Sequence, residues 1–204
     1  MAPQGEPHER IEAMEQREMT ISTEHLNRAF ISTRTLLDAV QPDQLGTPTP
    51  CASWDVRGLI NHFVGSALWG AAAIAGDDVA EEDFVAGDFR ARYDESRRAA
   101  LAAFGSAGAL ATTVLLPFGE VTGADLMGIV TGDQFTHGWD LARAIGHPTD
   151  LDPELAAALL VMAKGTIGEE SRGSDGMAPF GPVVTPSAGA SPADRLAAFL
   201  GRSM

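Results

Sequence analysis

The chain has 204 residues, 45% of them apolar, with 28 acidic and 14 basic side chains and a formal net charge of −14. That length suffices for one domain with a sizeable core, the apolar share excludes a compositionally disordered chain, and the charge argues against nucleic acid or an anionic membrane surface as partner, since both need a basic footprint. One cysteine excludes an internal disulfide and any cysteine-rich zinc module, the lone thiol and absent signal peptide point to the cytoplasm, and no uninterrupted run of about 18 apolar residues suggests a membrane span.

Residues 1–19 carry Pro3, Pro7 and a glutamate every third position from Glu6 to Glu18. So little apolar surface predicts an acidic, frayed arm, with a bundle domain over 20–204 and Met1 and Met19 as competing start codons. A first helix is expected over Ser22–Val40, because Leu26, Ala29, Phe30, Thr33, Leu36, Leu37 and Val40 share one stripe at helical spacing. Pro42 stops it, and Thr47-Pro48-Thr49-Pro50 makes a stiff connection. A second helix is expected over Trp54–Ala75, with Ser53 as its N-cap, Asp55 in its first turn and Gly76 as its C-terminal cap.

A third helix is expected over Asp88–Phe104, its inner side formed by Phe89, Tyr93, Ser96, Ala100 and Phe104. Thr112–Leu116 then reads as one short strand closed by Pro117 and Gly119. Thr122 and Asp125 form a capping box that opens a fourth helix, which ends near Gly146 and Pro148. Asp152-Pro153-Glu154 starts a fifth that reaches about Gly165, and Ser191-Pro192 starts a short last one that ends near Leu200. Four long helices and two shorter ones, with a minor β excursion, predict an all-α bundle.

Chemistry concentrates on the fourth helix. Its apolar stripe runs through Leu126, Ile129, Val130, Leu141 and Ala144, and Asp133, His137 and Asp140 lie on or beside it. Asp133 and His137 are four apart, one turn apart on one face. Burying an unpaired carboxylate is costly, and a cation shared with His137 would compensate it; an ion pair inside the core would do the same. A divalent ion needs a further ligand. Of the five histidines, His8 lies in the arm, His25 starts the first helix and His147 lies in a loop, whereas His62 sits mid-helix beside Leu59, Phe63 and Ser66. Asp140, three residues past His137, is placed to orient its ring or to pair with Arg143. Trp54 and Trp69 read as packing, Cys51 as a small buried hydrophobe that a nearby helix N-terminus could activate, and Arg57 and Arg143 as surface charges or anion contacts.

Thr49-Pro50-Cys51-Ala52-Ser53-Trp54-Asp55-Val56-Arg57-Gly58-Leu59-Ile60-Asn61-His62 resembles the TPCxxWxVRxLxNH segment of actinobacterial metal-binding proteins related to mycothiol-dependent maleylpyruvate isomerase. Asp133-Gln134-Phe135-Thr136-His137-Gly138-Trp139-Asp140-Leu141-Ala142-Arg143-Ala144 is similar to their (E/D)xxxHxWDLARA segment. Leu116-Pro117-Phe118-Gly119, Phe180-Gly181-Pro182 and the closing Gly201-Arg202 also resemble that group, so the likeness spans about Thr20 to Arg202. It implies the DinB-like four-helix fold and metal ligands at His62, Asp133 and His137, with glutamate in the isomerases where this chain has Asp133. The isomerases also carry a further C-terminal domain, so isomerisation of maleylpyruvate itself is not the expected activity.

The resemblance implies one divalent ion, zinc as first choice with nickel, iron or manganese as alternatives, and thiol chemistry. A small thiol such as mycothiol and an electrophilic substrate are the expected partners of a transferase or isomerase. The alternatives are a non-enzymatic metal- or small-ligand-binding bundle, and a metal-free Asp133–His137 core pair. A homodimer is compatible with a small bundle.

Overall fold

Every α-helix among the described residues begins at a side chain that caps it. Ser22 accepts from the His25 amide at the start of α1 (Thr23–Ala39), Asp55 from the Gly58 amide at the start of α2 (Val56–Ala75), and Asp88 from the Arg90 and Ala91 amides at the start of α3 (Phe89–Phe104). Thr122 accepts from the Asp125 amide at the start of α4 (Gly123–Ala144), and Asp152 and Ser191 cap α5 (Pro153–Thr166) and α6 (Pro192–Phe199), each with proline in the first turn. This computed structural model describes residues 21–79, 82–117, 119–174 and 177–203. The acidic arm expected at 1–19, and with it the choice of start codon, lies outside the described residues.

Two local expectations are corrected. The cap of α2 is Asp55, not Ser53. Residues 47–55 double back through a turn outside the helix, because Pro48 and Asp55 form an antiparallel bridge, Val56 N donates to Thr47 O at 3.0 Å and Arg57 N to Leu45 O at 2.9 Å. The helix therefore starts two residues later than expected, and Trp54 falls in the loop before it. The lone strand is half of a hairpin: β1 (Thr113–Leu116) pairs antiparallel with β2 (Gly119–Thr122), Thr113 opposite Thr122 and Leu116 opposite Gly119.

Among the described residues there are six α-helices and one two-stranded sheet, an all-α bundle as expected. α1 packs on α3 and α4, and α2 packs on α3 and α4. The main core holds Leu26, Phe30, Leu59, Phe63, Tyr93 and Leu126. A second core joins Phe135 and Trp139 of α4 to Leu155 and Leu159 of α5 and Leu196 of α6. α4 thus lies between two apolar clusters, which explains why it is buried all round from Gln134 to Ala142. The expected stripe holds at Leu126, Val130 and Leu141 but not at Ile129, which is 38% exposed on the rim of a cavity.

α2 and α4 approach closely. A Cβ on Gly70 would meet Val130 Cγ2 at 2.8 Å, so only glycine fits there without a shift. By length and composition alone α2 is apolar enough to cross a membrane, with 20 residues and a mean hydropathy of 1.3 over 18 of them, although Arg57, Asn61 and His62 interrupt its apolar run. Here Leu59, Ile60, Phe63 and Ala67 of that helix are buried in the bundle core.

Candidate metal centre

α2 carries His62 and α4 carries Asp133 and His137, and their close packing brings the three side chains to one point. One ligand atom from each lies within 4.8 Å of the others. His62 Nε2 is 2.8 Å from Asp133 Oδ1, and His137 Nε2 is 3.6 Å from the same oxygen. The other carboxylate oxygen, Asp133 Oδ2, is buried without a hydrogen-bond partner. An oxygen buried without a hydrogen bond carries a desolvation cost of about 1–3 kcal/mol. Burial alone would raise the Asp133 carboxyl, but the hydrogen bond from His62 and the charges of His137 and His62 outweigh it and hold it below its ordinary value. The group is therefore an anion at neutral pH, with two imidazoles beside it. An orphaned carboxylate oxygen, a second carboxylate oxygen and two imidazole nitrogens are a donor set that fits a divalent cation.

The surroundings hold these donors in place. His137 Nδ1 lies 3.0 Å from Asp140 Oδ2. A carboxylate only accepts, so a proton sits on Nδ1, and Nε2 is the nitrogen that faces Asp133. Asp140 in turn accepts from Arg202, at 3.0 Å from Nη2 and 3.3 Å from Nε. Of the two roles expected for Asp140, orienting the His137 ring is the one the geometry contains; its basic partner is Arg202, while Arg143 lies over the Trp139 ring at 5.9 Å. Gly201, at φ +90, packs on the backbone of Gly181 and delivers Arg202 to this position.

Trp54 is not simply packing. It stacks on His62 with centroids 4.3 Å apart and meets His137 edge-on at 5.2 Å, which shields one side of the imidazole pair. Thr49 fixes it by donating from Oγ1 to Trp54 O at 2.8 Å. Behind Asp133 runs a buried polar network. Gln134 donates to Phe63 O and Ser66 Oγ, both at 2.9 Å, and accepts from the Tyr93 hydroxyl at 2.8 Å, while Thr33 donates to Gln134 O at 2.9 Å. It ties α1, α2 and α3 to α4 beside the site. Burial pushes the Tyr93 phenol far up, so it stays neutral.

Cys51 is half-buried, and its sulfur lies within 4.8 Å of ligand atoms on His137 and Asp140, so it belongs to the edge of the site rather than to the core. Arg57 pairs with Asp83 at 2.6 Å, and His25 helps cap α1. Beside the three donors α2 and α4 enclose a cavity of about 310 Å³, with His62 and Asp133 at its base and Gly65, Ser66, Trp69, Ile129 and Val130 as walls. Trp69, expected to be packing, stands 36% exposed at its mouth. Sequence reasoning missed Trp54, Tyr93, Gln134 and Arg202. For Trp54, Gln134 and Arg202 the signal was their position in the resembling segments, since Gln134 directly follows Asp133 and Arg202 belongs to the closing Gly-Arg, whereas Tyr93 lies outside them and showed only as part of the inner side of the third helix.

Known proteins match this chain over the same region. A family model described as the mycothiol maleylpyruvate isomerase N-terminal domain matches residues 26–142, a span that includes His62, Asp133 and His137. Two uncharacterized proteins of Mycobacterium tuberculosis, from two strains, are each 40% identical over 173 residues, covering 83% of this chain and 91% of their own. Among solved structures, a mutant of the mycothiol-dependent maleylpyruvate isomerase matches with a TM-score of 0.53 and 17% identity, over 74% of this chain and 75% of that one. At that identity the likeness concerns the fold.

Proposed function

Since the chain belongs to the mycothiol maleylpyruvate isomerase N-terminal domain family and folds as its DinB-like bundle, we propose that it binds one divalent metal ion and acts as a thiol-dependent transferase or isomerase on a small electrophile. Mycothiol is the thiol the family relationship favours. The observation that carries this reading is the convergence of His62, Asp133 and His137, with Asp133 Oδ2 buried and unpartnered.

His62 and His137 would hold the ion through Nε2 and Asp133 through its carboxylate. When bound, a divalent cation supplies Lewis acidity, which lowers the pKa of a thiol at the site. Asp140 and Arg202 keep the proton on His137 Nδ1 and fix the ring plane. Trp54 covers the face of His62 and keeps water from it. In this scheme the protein contributes no nucleophile: the thiol sulfur forms the new C–S bond, and the electrophile takes up the displaced electron pair on its leaving group or conjugated carbonyl.

Zinc suits two imidazoles and a carboxylate, and nickel, iron and manganese accept the same donors. Elemental analysis of the full chain purified without added metal, followed by thiol transfer from mycothiol with and without chelator, tests the reading. One divalent equivalent and chelator-sensitive transfer are expected. Transfer that survives chelation, or that is unchanged in His137→Ala, overturns it.

Metal binding without catalysis is a second reading, and Cys51 is the observation that favours it. Its thiol lies close to His137 and Asp140, a second donor set that shares His137 with the first, so the protein donors here outnumber the three of an open site. A large loss of thermal stability on chelation, with no transfer from any thiol, would establish it.

A further inference from the structure

The cavity beside the donors has walls that are apolar apart from the Ser66 hydroxyl. Trp69 on α2 and Ile129 on α4 face its mouth, 36% and 38% exposed, although both are large apolar side chains. A ligand that covered them would remove that surface from water. No arginine or lysine lines the cavity among the described residues. The Ser66 hydroxyl already accepts from Gln134, and the remaining polar groups at the base are the Asp133 carboxylate and the His62 imidazole, which are joined to each other. One ligand carboxylate could be balanced by a cation held at Asp133, but a second would enter an apolar slot in a chain of net charge −14 with nothing to neutralise it.

We infer that the site takes an uncharged, flat, apolar small molecule clamped between Trp69 and Ile129, and rejects dicarboxylates. This inference rests on the reading above that the cavity is the substrate side of a metal centre, and it names the substrate class. The predicted selectivity follows from the walls alone, so it can be measured as binding, without turnover.

The probes are dimethyl phthalate and phthalate, which share a planar skeleton and differ by two negative charges. Each is titrated calorimetrically into the full chain loaded with zinc, with no thiol present. Dimethyl phthalate is expected to bind at least about tenfold more tightly than phthalate. Trp69→Ala should weaken the diester by about three- to tenfold, and Ile129→Lys should narrow or reverse the preference between the two probes by placing a cation at the mouth. Both positions are solvent-exposed, and unchanged far-ultraviolet circular dichroism would establish that the variants fold. Equal or tighter binding of phthalate to the wild-type chain overturns the inference, as does a diester affinity that neither variant alters. The two readings fail separately: diester selectivity without chelator-sensitive thiol transfer removes the proposed activity and keeps the slot, whereas transfer with no diester selectivity does the reverse.

Discussion

Replacing Arg202 with alanine tests the support behind the donor cluster. Asp140 is fully buried, and the Arg202 side chain is 11% exposed, so little water reaches either group. The guanidinium makes two hydrogen bonds to the carboxylate, at 3.0 and 3.3 Å. Its removal leaves Asp140 buried beside His137 with no guanidinium to pair with. Breaking a buried pair in this way costs about 3–5 kcal/mol, against less than about 1 kcal/mol for a surface pair. For a chain of this size each kcal/mol moves the melting temperature by roughly 2–4 °C, so Arg202→Ala should melt about 6–20 °C lower. Urea denaturation gives the free energy directly. The double variant Arg202→Met, Asp140→Asn removes both charges together and should recover most of the loss, and its comparison with the single variants isolates the coupling. Because Asp140 holds the His137 ring, Arg202→Ala should also weaken zinc binding by about 10–100-fold. A loss below about 1 kcal/mol, or single-variant losses that simply add, would refute the buried-pair argument.

Zinc at about 100 times its Kd should stabilise the wild-type chain by about 2.7 kcal/mol, or roughly 5–11 °C, measured by scanning calorimetry. Asp133→Asn should abolish most of that gain, and an undiminished gain would place the ion elsewhere. Tyr93→Phe leaves Gln134 Oε1 without its donor, and a loss of about 1–3 kcal/mol in urea denaturation is expected. Acid should unfold the protein partly through Asp152 and Asp194. Burial alone would raise both carboxyls, but hydrogen bonds from Arg28 to Asp152 and from Trp139 and Thr149 to Asp194 outweigh it and lower them below 3.8. Groups lowered in the folded state stabilise it fully above their unfolded value and lose that contribution as pH falls through the native one. The melting temperature should therefore drop as pH is lowered past about 4, and Asp194→Asn should flatten that slope. An unchanged slope in the variant would count against the assignment.

The helices were legible because their signals are local. Ser22, Asp88, Thr122, Asp152 and Ser191 each precede an apolar stripe, and each caps a helix that was expected to begin there. Ser53 misled because two good capping residues, Ser53 and Asp55, stand close together. The choice between them is made by the bridge from Pro48 to Asp55, a contact with the preceding loop. β2 was missed because Gly119-Glu120-Val121-Thr122 carries little apolar pattern of its own and depends on β1 for its pairing. At the site, Asp133 and His137 declare themselves through helical spacing, whereas His62, 71 residues from Asp133 in sequence, stood out only as the one histidine in mid-helix until the resemblance assigned it as a ligand. Arg202 and Asp140, 62 residues apart, left no signal in spacing. Ile129 fits the apolar stripe, yet its exposure is set by a gap between two helices that no single segment encodes.

The touching point of Gly70 and Val130 acts as a spacer of zero thickness. Gly70 lies eight residues along α2 from His62, about 12 Å of helix rise, and Val130 lies three residues along α4 from Asp133. A methyl group inserted there would wedge the two rods apart and widen the jaws that carry the imidazole and the carboxylate. The bore of the site is thus adjustable without altering any donor, and exchanging small residues along this seam offers a route by which related chains could be tuned to ions of different radius.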